Sequence, residues 1–320
     1  MVCRVFIENP SPFKQAPRGD GTAPADVRIA EGLVTVRCYR SAGLPIAGLH
    51  HSDLDRFEAR QIRGEAPPDR HDSFEYALML KDHLGDYRGL LIPHRVTIYQ
   101  TPPDQQPLFS RLAQVGIKNV VLVGRPFSLP PAGTVYQSTV EEGLAYLRNQ
   151  NPTLGLNLGA IGIHSRLGEA DRIVRKFEAA GGRLRVMGQF LDDVSAMTSF
   201  MDQLAQEFET KGLDLGRLEW NVGLAIFALT SRAFYAKLLR KETLACEARF
   251  ADLRSMDERI AASVDMNVEF AQRAREHGVR RGIDIGFSVQ PLIERGPGGT
   301  IHPAVYGAIE LAGRLGRAIT

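Results

Sequence analysis

Short runs of apolar, β-branched residues recur along the chain from residue 93 onward, and each is followed by a stretch with helical periodicity. This alternation is typical of parallel strands joined by crossover helices. The clearest predicted strands are Arg95–Gln100, Asn119–Val123, Leu156–His164, Leu184–Phe190, Leu218–Phe227 and Ile283–Leu292. The predicted helices are Gln106–Val115, Val140–Asn149, Gly168–Ala180, Val194–Lys211, Ser231–Arg240 and Ala304–Leu315. Gly116, Gly181 and Gly212 stand where three of these helices are expected to end.

The first ninety residues follow the pattern less regularly. Val2–Glu8 and Leu33–Tyr39 are predicted strands, and the Pro- and Gly-rich segment between them leaves little room for a helix. A polar stretch, Asp53–Asp72, then precedes a predicted helix at Ser73–Leu84. Near the other end, a long polar helical segment, Asp257–His277, is extra to the strand–helix repeat, and we expect it to pack over the last crossover.

Counting the two N-terminal strands gives eight, and eight strand–helix units in 320 residues predict one (β/α)8 TIM barrel. We expect residues 1–320 to form a single barrel domain with an irregular N-terminal region and an extra helix before the last strand. An open, doubly wound sheet is the alternative. No GxGxxG motif follows a predicted strand, which weakens that alternative.

Composition narrows the class of ligand. The chain is 44% hydrophobic and 24% charged, with a formal net charge of +2, so we expect a small-molecule substrate and no nucleic-acid partner. No apolar run approaches the roughly 20 residues that a membrane span requires, so no membrane association is expected. The cysteines Cys3, Cys38 and Cys246 form neither a disulfide framework nor a zinc site, which indicates a cytoplasmic protein. The sequence leaves open whether the chain forms a homo-oligomer.

In a TIM barrel, ligand-binding residues lie at the carboxyl ends of the strands. Carboxylate, amide, guanidinium, imidazole and aromatic groups all occur there, a mixture that suits a polar, planar heterocycle. The candidates are Glu8, Tyr99, Arg125, His164, Gln189 and Phe227.

Each polar candidate also has a structural interpretation. Glu8 could be a general acid or could only cap the end of its strand. Arg125 could bind a phosphate or carboxylate, or form an ion pair with a neighbouring strand. His164 is better explained by a hydrogen bond to backbone than by a role as a base. For Gln189 the functional interpretation is favoured, since an amide inside an apolar strand is costly unless it is paired.

Other common sites are not indicated by the sequence. His50 and His51 are adjacent and lack further spaced ligands, so no metal site is expected. The sequence also contains neither a GxSxG nucleophile elbow nor a Walker A motif.

Several segments, in order along the chain, resemble the methylenetetrahydrofolate reductase superfamily, a (β/α)8 barrel family. Residues 5–12 (VFIENPSP) are similar to its first-strand Phe-Glu-Phe-x-Pro-Pro signature, and residues 116–125 (GIKNVVLVGR) resemble its fourth strand. Residues 175–192 (RKFEAAGGRLRVMGQFLD) resemble its Lys-rich helix and following Gln-Phe strand, and residues 218–227 resemble its seventh strand. Flavin-dependent members have an aspartate after the fourth strand, where this chain has Arg125. That departure resembles the flavin-independent branch described in mycobacteria.

The resemblance implies hydride transfer from NADH or NADPH to 5,10-methylenetetrahydrofolate, giving 5-methyltetrahydrofolate without a flavin. Glu8 would then be the catalytic acid, while Gln189, Phe227 and Tyr99 would bind the folate. Arg125 would bind either the phosphates of the cofactor or a folate carboxylate, and His164 and Lys176 would contact the cofactor. An FAD-dependent reductase of the same fold is one alternative, although FAD is not expected to be retained. A non-redox folate-binding methyltransferase, or a subunit of a larger complex, is the other.

Overall fold

The computed structural model describes residues 4–8, 34, 36–43, 47–51, 73–84, 89–97, 100–124, 137–228, 242, 244–291 and 302–318. Eight parallel strands in these ranges form a closed barrel in which each strand pairs with the next and β1 pairs with β8. The strands are β1 (Val5–Glu8), β2 (Gly48–His51), β3 (Leu90–Val96), β4 (Asn119–Val123), β5 (Asn157–Gly162), β6 (Leu184–Phe190), β7 (Leu218–Ala225) and β8 (Asp284–Gln290). The prediction of a (β/α)8 barrel is therefore confirmed, and the open sheet is excluded by the closure.

Helices follow the strands and cover the outside of the barrel. They are α1 (Ser73–Leu84), α2 (Pro102–Gln114), α3 (Val140–Leu154), α4 (Glu169–Ala179), α5 (Val194–Thr210), α6 (Met256–Arg281) and α7 (Pro303–Ala318). Gly116, Gly181 and Gly212 each have positive φ just after a helix, as expected for left-handed helix ends. The predicted helix Ser231–Arg240 lies outside the described residues. No helix within the described ranges is long and apolar enough to cross a membrane.

The second predicted strand was wrong. Residues 36–41 are helical, and the second strand is Gly48–His51. Val36 and Tyr39, three residues apart, are buried, whereas Arg37 and Arg40 are exposed. A spacing of three residues places side chains on one face of a helix, so the β-branched run packs as an amphipathic helix and not as a strand.

The third predicted strand was displaced along the sequence. We expected Arg95–Gln100, but β3 is Leu90–Val96 and includes Pro93. The strand accommodates this proline although prolines are uncommon inside sheets. The shift places His94, which the prediction left outside the strand, within the barrel wall.

The barrel interior is layered. Phe6, Ile92, Val121 and Met187 form a small apolar cluster separate from the main core between barrel and helices. Because side chains alternate along a strand, Glu8 and His94, each two residues further on, also face the interior, nearer the carboxyl ends of the strands. Gln189 faces the interior as well, because both of its neighbours face outward: a side chain on Gly188 would meet Trp220, and Phe190 packs in the main core. The interior thus has an apolar middle layer with a polar layer above it.

Charged and amide groups close the opposite, amino-terminal end of the barrel. Arg185 donates to Glu219 Oε1 (2.9 Å) and to Asn119 Oδ1 (2.8 Å), and Arg4 forms ion pairs with Glu219 and Asp284. Burial alone would raise the pKa of Glu219, but the hydrogen bond and charge of Arg185, with the charge of Arg4, lower it. With this end and the middle layer filled, a ligand would reach the interior from the carboxyl-terminal mouth.

Candidate functional site

The polar layer at the mouth contains side chains from five strands. Glu8 ends β1, His50 lies on β2, His94 on β3, Gln189 on β6, and Ser288 with Gln290 on β8. His50, His94 and Ser288 are buried, whereas Glu8, Gln189 and Gln290 are half-buried. This layer is the candidate site, because it combines one carboxylate with uncharged donors and acceptors above an apolar floor.

The position of Gln189 depends on a bulge in β6. Met187 pairs with Asn221 and Phe190 pairs with Gly223, so β6 has one more residue than β7 in this interval. A side chain on Gly223 would approach the backbone carbon of Gln189 to 2.5 Å, so a glycine is needed opposite the bulge. Bulges of this kind redirect a side chain, and they occur often beside active sites.

The two glutamines of the mouth differ in their hydrogen bonding. Gln290 Nε2 donates to the carbonyl of Gly188, across β7, at 3.2 Å, and so supports the bulge. Gln189 Oε1 is buried and has no hydrogen-bond partner among the described residues. A buried acceptor without a partner is costly, so Gln189 is suited to accept a hydrogen bond from a ligand.

The two imidazoles at the mouth are stacked. The rings of His50 and His94 lie 5.1 Å apart at an interplanar angle of 14°. Burial lowers the pKa of His94 to about 3, and His51 adds to the shift. Burial also lowers the pKa of His50 well below its usual value, with smaller contributions from His94 and His51. Both rings are therefore neutral near pH 7 and can take part in hydrogen bonds as neutral groups.

His51, the neighbour of His50, has a different environment. Its ring makes an edge contact with the ring of Tyr76 on α1, at 5.2 Å between centroids. Adjacent strand residues point to opposite faces, so the two histidines cannot ligate one ion together. Within the described ranges, no group of three His, Cys, Asp or Glu side chains is arranged to hold a metal ion.

Glu8 and Gln189 are the predicted site residues that the structure brings into the same layer. Glu8 is paired in register with His50. Tyr99 and Arg125, a predicted folate contact and a predicted cofactor contact, lie outside the described residues. The assigned roles of Glu8 and Gln189 remain predictions.

Lys176 and His164 lie at the exit of β5, between the barrel and α4. Lys176 Nζ donates to the carbonyl of Ile161 at 2.9 Å and is 3.7 Å from Glu169 Oε1. Burial lowers the pKa of Lys176, and the charge of Glu169 opposes this shift. His164 is buried two residues beyond the strand. The contacts of Lys176 anchor α4 to β5, and cofactor binding by either residue remains a prediction.

Phe227 is packed in an aromatic cluster just after β7. Its ring contacts Phe190 (5.7 Å between centroids) and Phe250 (5.4 Å), and the residue is only 3% exposed. Its backbone N–H donates to Ser263 on α6. Phe227 therefore belongs to the wall behind the mouth, and contact with a folate remains a prediction.

The sequence interpretation missed His50, His94 and Ser288 as site residues. His50 was considered only as a metal ligand, and His94 fell before its predicted strand. Ser288 lay inside the predicted eighth strand, where period-2 alternation with Gln290 could have placed it on the inner face.

Comparison with known proteins supports the fold. No protein-family model and no curated protein matches the sequence. Among solved structures, an uncharacterised protein from Clostridium thermocellum that binds two copies of 5-methyl-5,6,7,8-tetrahydrofolic acid is similar, with a TM-score of 0.69 and 16% identity. The match covers 99% of this chain and 96% of that one.

Two monooxygenases among the solved structures are less similar. EDTA monooxygenase from Chelativorans sp. BNC1 has a TM-score of 0.56 at 10% identity, covering 100% of this chain and 95% of that one. A long-chain alkane monooxygenase has a TM-score of 0.54 at 11% identity, covering 99% and 92%. At these identities the likeness establishes the barrel fold.

Proposed function

We propose that the mouth of the barrel binds a reduced folate, and that the protein reduces 5,10-methylenetetrahydrofolate with NADH or NADPH without a bound flavin. The observation that carries the proposal is the buried Oε1 of Gln189, which lies above an apolar floor and has no hydrogen-bond partner in the part of the chain that the structure describes. It is supported by the barrel's similarity, over nearly the whole chain, to a protein that binds a methylated reduced folate.

The chemistry of the site suits a pterin. A pterin ring is flat and uncharged and has hydrogen-bond donors and acceptors along its edge. Gln189 Oε1 can accept from such an edge, and the neutral rings of His50 and His94 add further polar atoms without a charge. An uncharged heterocycle loses less hydration in such a site than a charged ligand would.

The proposed reaction needs one proton and one hydride. Glu8 donates a proton to the bridging nitrogen of the substrate, the carbon–nitrogen bond to the bridging methylene breaks, and an iminium ion forms at the other nitrogen. The nicotinamide transfers a hydride to the methylene carbon and is oxidised, and 5-methyltetrahydrofolate results. Donor and acceptor must lie together in one ternary complex, which the protein orients.

A second candidate is a non-redox folate-binding protein. The neighbour binds 5-methyltetrahydrofolate, which is both the product of the proposed reduction and a potential methyl donor. An FAD-dependent reductase is a further alternative, distinguished by a flavin spectrum.

The test uses the purified full chain. An absorbance spectrum that shows one bound flavin per chain would favour the FAD-dependent alternative. Titration with 5-methyltetrahydrofolate should give saturable binding, and NADH or NADPH should be oxidised only when methylenetetrahydrofolate is present. Glu8→Gln should keep folate binding within a few-fold and lower turnover by about 100-fold or more, the usual contribution of a general acid. Binding without any oxidation in the wild type would favour the non-redox candidate, and no binding would refute the folate proposal.

A further inference from the structure

A glutamine of β8 holds the backbone of β6, although β7 lies between the two strands. Gln290 Nε2 is 3.2 Å from the carbonyl oxygen of Gly188. A carbonyl oxygen can only accept a hydrogen bond, so the group of Gln290 that faces it is the amide N–H, which donates. Ser288, two residues earlier on the same face of β8, lies with its Oγ 2.6 Å from His50 Nε2 on β2. The inward side chains of β8 therefore reach across both of its neighbouring strands.

The carbonyl of Gly188 lies where the β6–β7 ladder is interrupted. Gly188 and Gln189 stand opposite a single residue of β7, Val222. A bulge of this kind leaves one residue outside the regular ladder. Beyond the bulge the ladder resumes, and the N–H of Leu191 donates to the carbonyl of Gly223 at 2.8 Å. Gln290 thus supplies a side-chain donor at the interruption.

Gly223 leaves room for this arrangement. It faces the barrel interior, since its two neighbours in β7 belong to the main core. A side chain there would approach the backbone carbon of Gln189 to 2.5 Å and the carbonyl oxygen of Gly188 to 2.6 Å. The backbone of the bulge therefore occupies the space over β7 that a side chain would fill. The oxygen that needs this space is the one that Gln290 binds.

The bulge determines where the acceptor of Gln189 lies. Gln189 follows Gly188 directly, so a displacement of the Gly188 carbonyl also displaces the backbone that carries the amide. Its Oε1 has no hydrogen-bond partner among the described residues. The backbone below, and not a hydrogen bond to Oε1, therefore sets the position of this acceptor before a ligand binds.

We propose that Gln290 is a positioning residue for ligand binding. By holding the Gly188 carbonyl it fixes the bulge, and the fixed bulge places Gln189 Oε1 where the edge of a pterin can donate to it. Gly223 is the second part of the device, because it leaves the inner face of β7 open to the bulge. The ligand part of the proposal rests on the proposed function, whereas the effect of Gln290 on the bulge does not.

The effect on the bulge can be measured without ligand. Gln290→Met keeps nearly the length of the side chain but removes the donor. Hydrogen exchange at the N–H of Leu191, which is bonded just beyond the bulge, should become about 5-fold faster in this variant. Exchange at the N–H of Thr97, which donates to Val123 at 3.1 Å between β3 and β4, should not change. An unchanged rate at Leu191, or equal acceleration at both sites, would overturn the proposal.

A double-mutant cycle tests whether Gln290 acts through Gln189. Gln290→Met should weaken binding of 5-methyltetrahydrofolate about 5-fold, because only part of the population then presents the acceptor correctly. In a Gln189→Ala background the same change should alter the dissociation constant by less than about 2-fold, because the group that it positions is absent. An equal loss in both backgrounds would show that Gln290 contacts the ligand itself. No loss in either would show a purely structural bond, and each of these results refutes the positioning role.

Gln290→Glu covers the case in which the methionine variant fails to fold. It keeps the shape of the side chain, and its ionised carboxylate cannot donate to the Gly188 carbonyl. It should weaken folate binding at least as much as Gln290→Met in the wild-type chain, and again by less than about 2-fold in the Gln189→Ala background. If the wild type does not bind this folate at all, the proposed function fails, and exchange at Leu191 alone decides the role of Gln290.

Discussion

Replacing Gln189 by alanine separates a ligand-binding amide from a structural one. Gln189 Oε1 is buried without a partner among the described residues, so its removal takes away no hydrogen bond seen in the ligand-free protein. We expect the melting temperature of Gln189→Ala, measured without ligand, to stay within about 1 °C of the wild-type value.

The same change should weaken folate binding. In the complex, loss of the amide leaves a polar group of the pterin unpaired, which costs roughly 1–3 kcal/mol. The dissociation constant for 5-methyltetrahydrofolate should therefore rise about 5- to 150-fold. Isothermal titration calorimetry measures this change directly.

Gln290→Ala is the matched control, because this glutamine lies in the same layer but has a partner. Its loss removes the bond to Gly188 and should destabilise the ligand-free protein by about 1 kcal/mol, lowering the melting temperature by roughly 1–2 °C. If Gln189→Ala lowers the melting temperature as much as Gln290→Ala and leaves folate affinity unchanged, Gln189 is a structural residue and the principal support for the site is lost.

Two further predictions concern stability. Glu219→Gln should cost about 3 kcal/mol in unfolding free energy, because it leaves Arg185 without its carboxylate partner and Arg4 with Asp284 alone. Folate affinity should not change, since the site lies at the opposite end of the barrel. His94 is neutral when folded, with a pKa of about 3, and has the usual value near 6.5 when unfolded. Below pH 6.5 the unfolded chain therefore binds more protons than the folded protein. The free energy of unfolding falls as the pH is lowered, and His94 accounts for a loss of about 2 kcal/mol at pH 5.

Each of these predictions has a control. Glu269→Gln breaks an ion pair with Arg249 whose side chains are both 44% exposed, so it should cost less than about 1 kcal/mol in denaturant titrations. Equal costs for the two glutamates would show that the amino-terminal cluster adds little. For the histidine, His94→Gln should lose less stability between pH 7.5 and pH 5 than the wild type. Parallel pH curves for His94→Gln and wild type would refute the neutral ring.

The sequence predicted those strands whose apolar runs are long. The bounds of β4 and β6 were predicted correctly, and those of β5, β7 and β8 within a few residues, because β-branched runs covered by helices on one side leave an unambiguous pattern. β2 has no such run: its four residues are Gly-Leu-His-His, of which only Leu49 is an apolar core residue. The pattern therefore placed the second strand in the apolar helix before it, and His50 was missed with the strand.

The site was predicted only where a polar residue interrupts an apolar strand. Gln189 met that condition. His94 did not, because the predicted strand began one residue later, at Arg95, whereas the strand in the structure is Leu90–Val96. The Ser288–His50 contact depends on barrel closure, which brings β8 and β2 to either side of β1 and is not visible in any local pattern.

The long helix α6 shows how a segment without apparent function can still determine the shape of the site. From its sequence we expected only packing over the last crossover. Its buried polar side chains in fact hold the chain where it leaves β7: Asn267 donates to the carbonyl of Ala225 (2.7 Å), Ser263 accepts from the N–H of Phe227 (3.0 Å), and Arg259 donates to the carbonyl of Ala228 (3.2 Å). Backbone groups at a strand exit have lost their sheet partners and need others when buried. Because α6 supplies them, the wall behind the mouth is fixed by a helix distant in sequence from the strand that it completes.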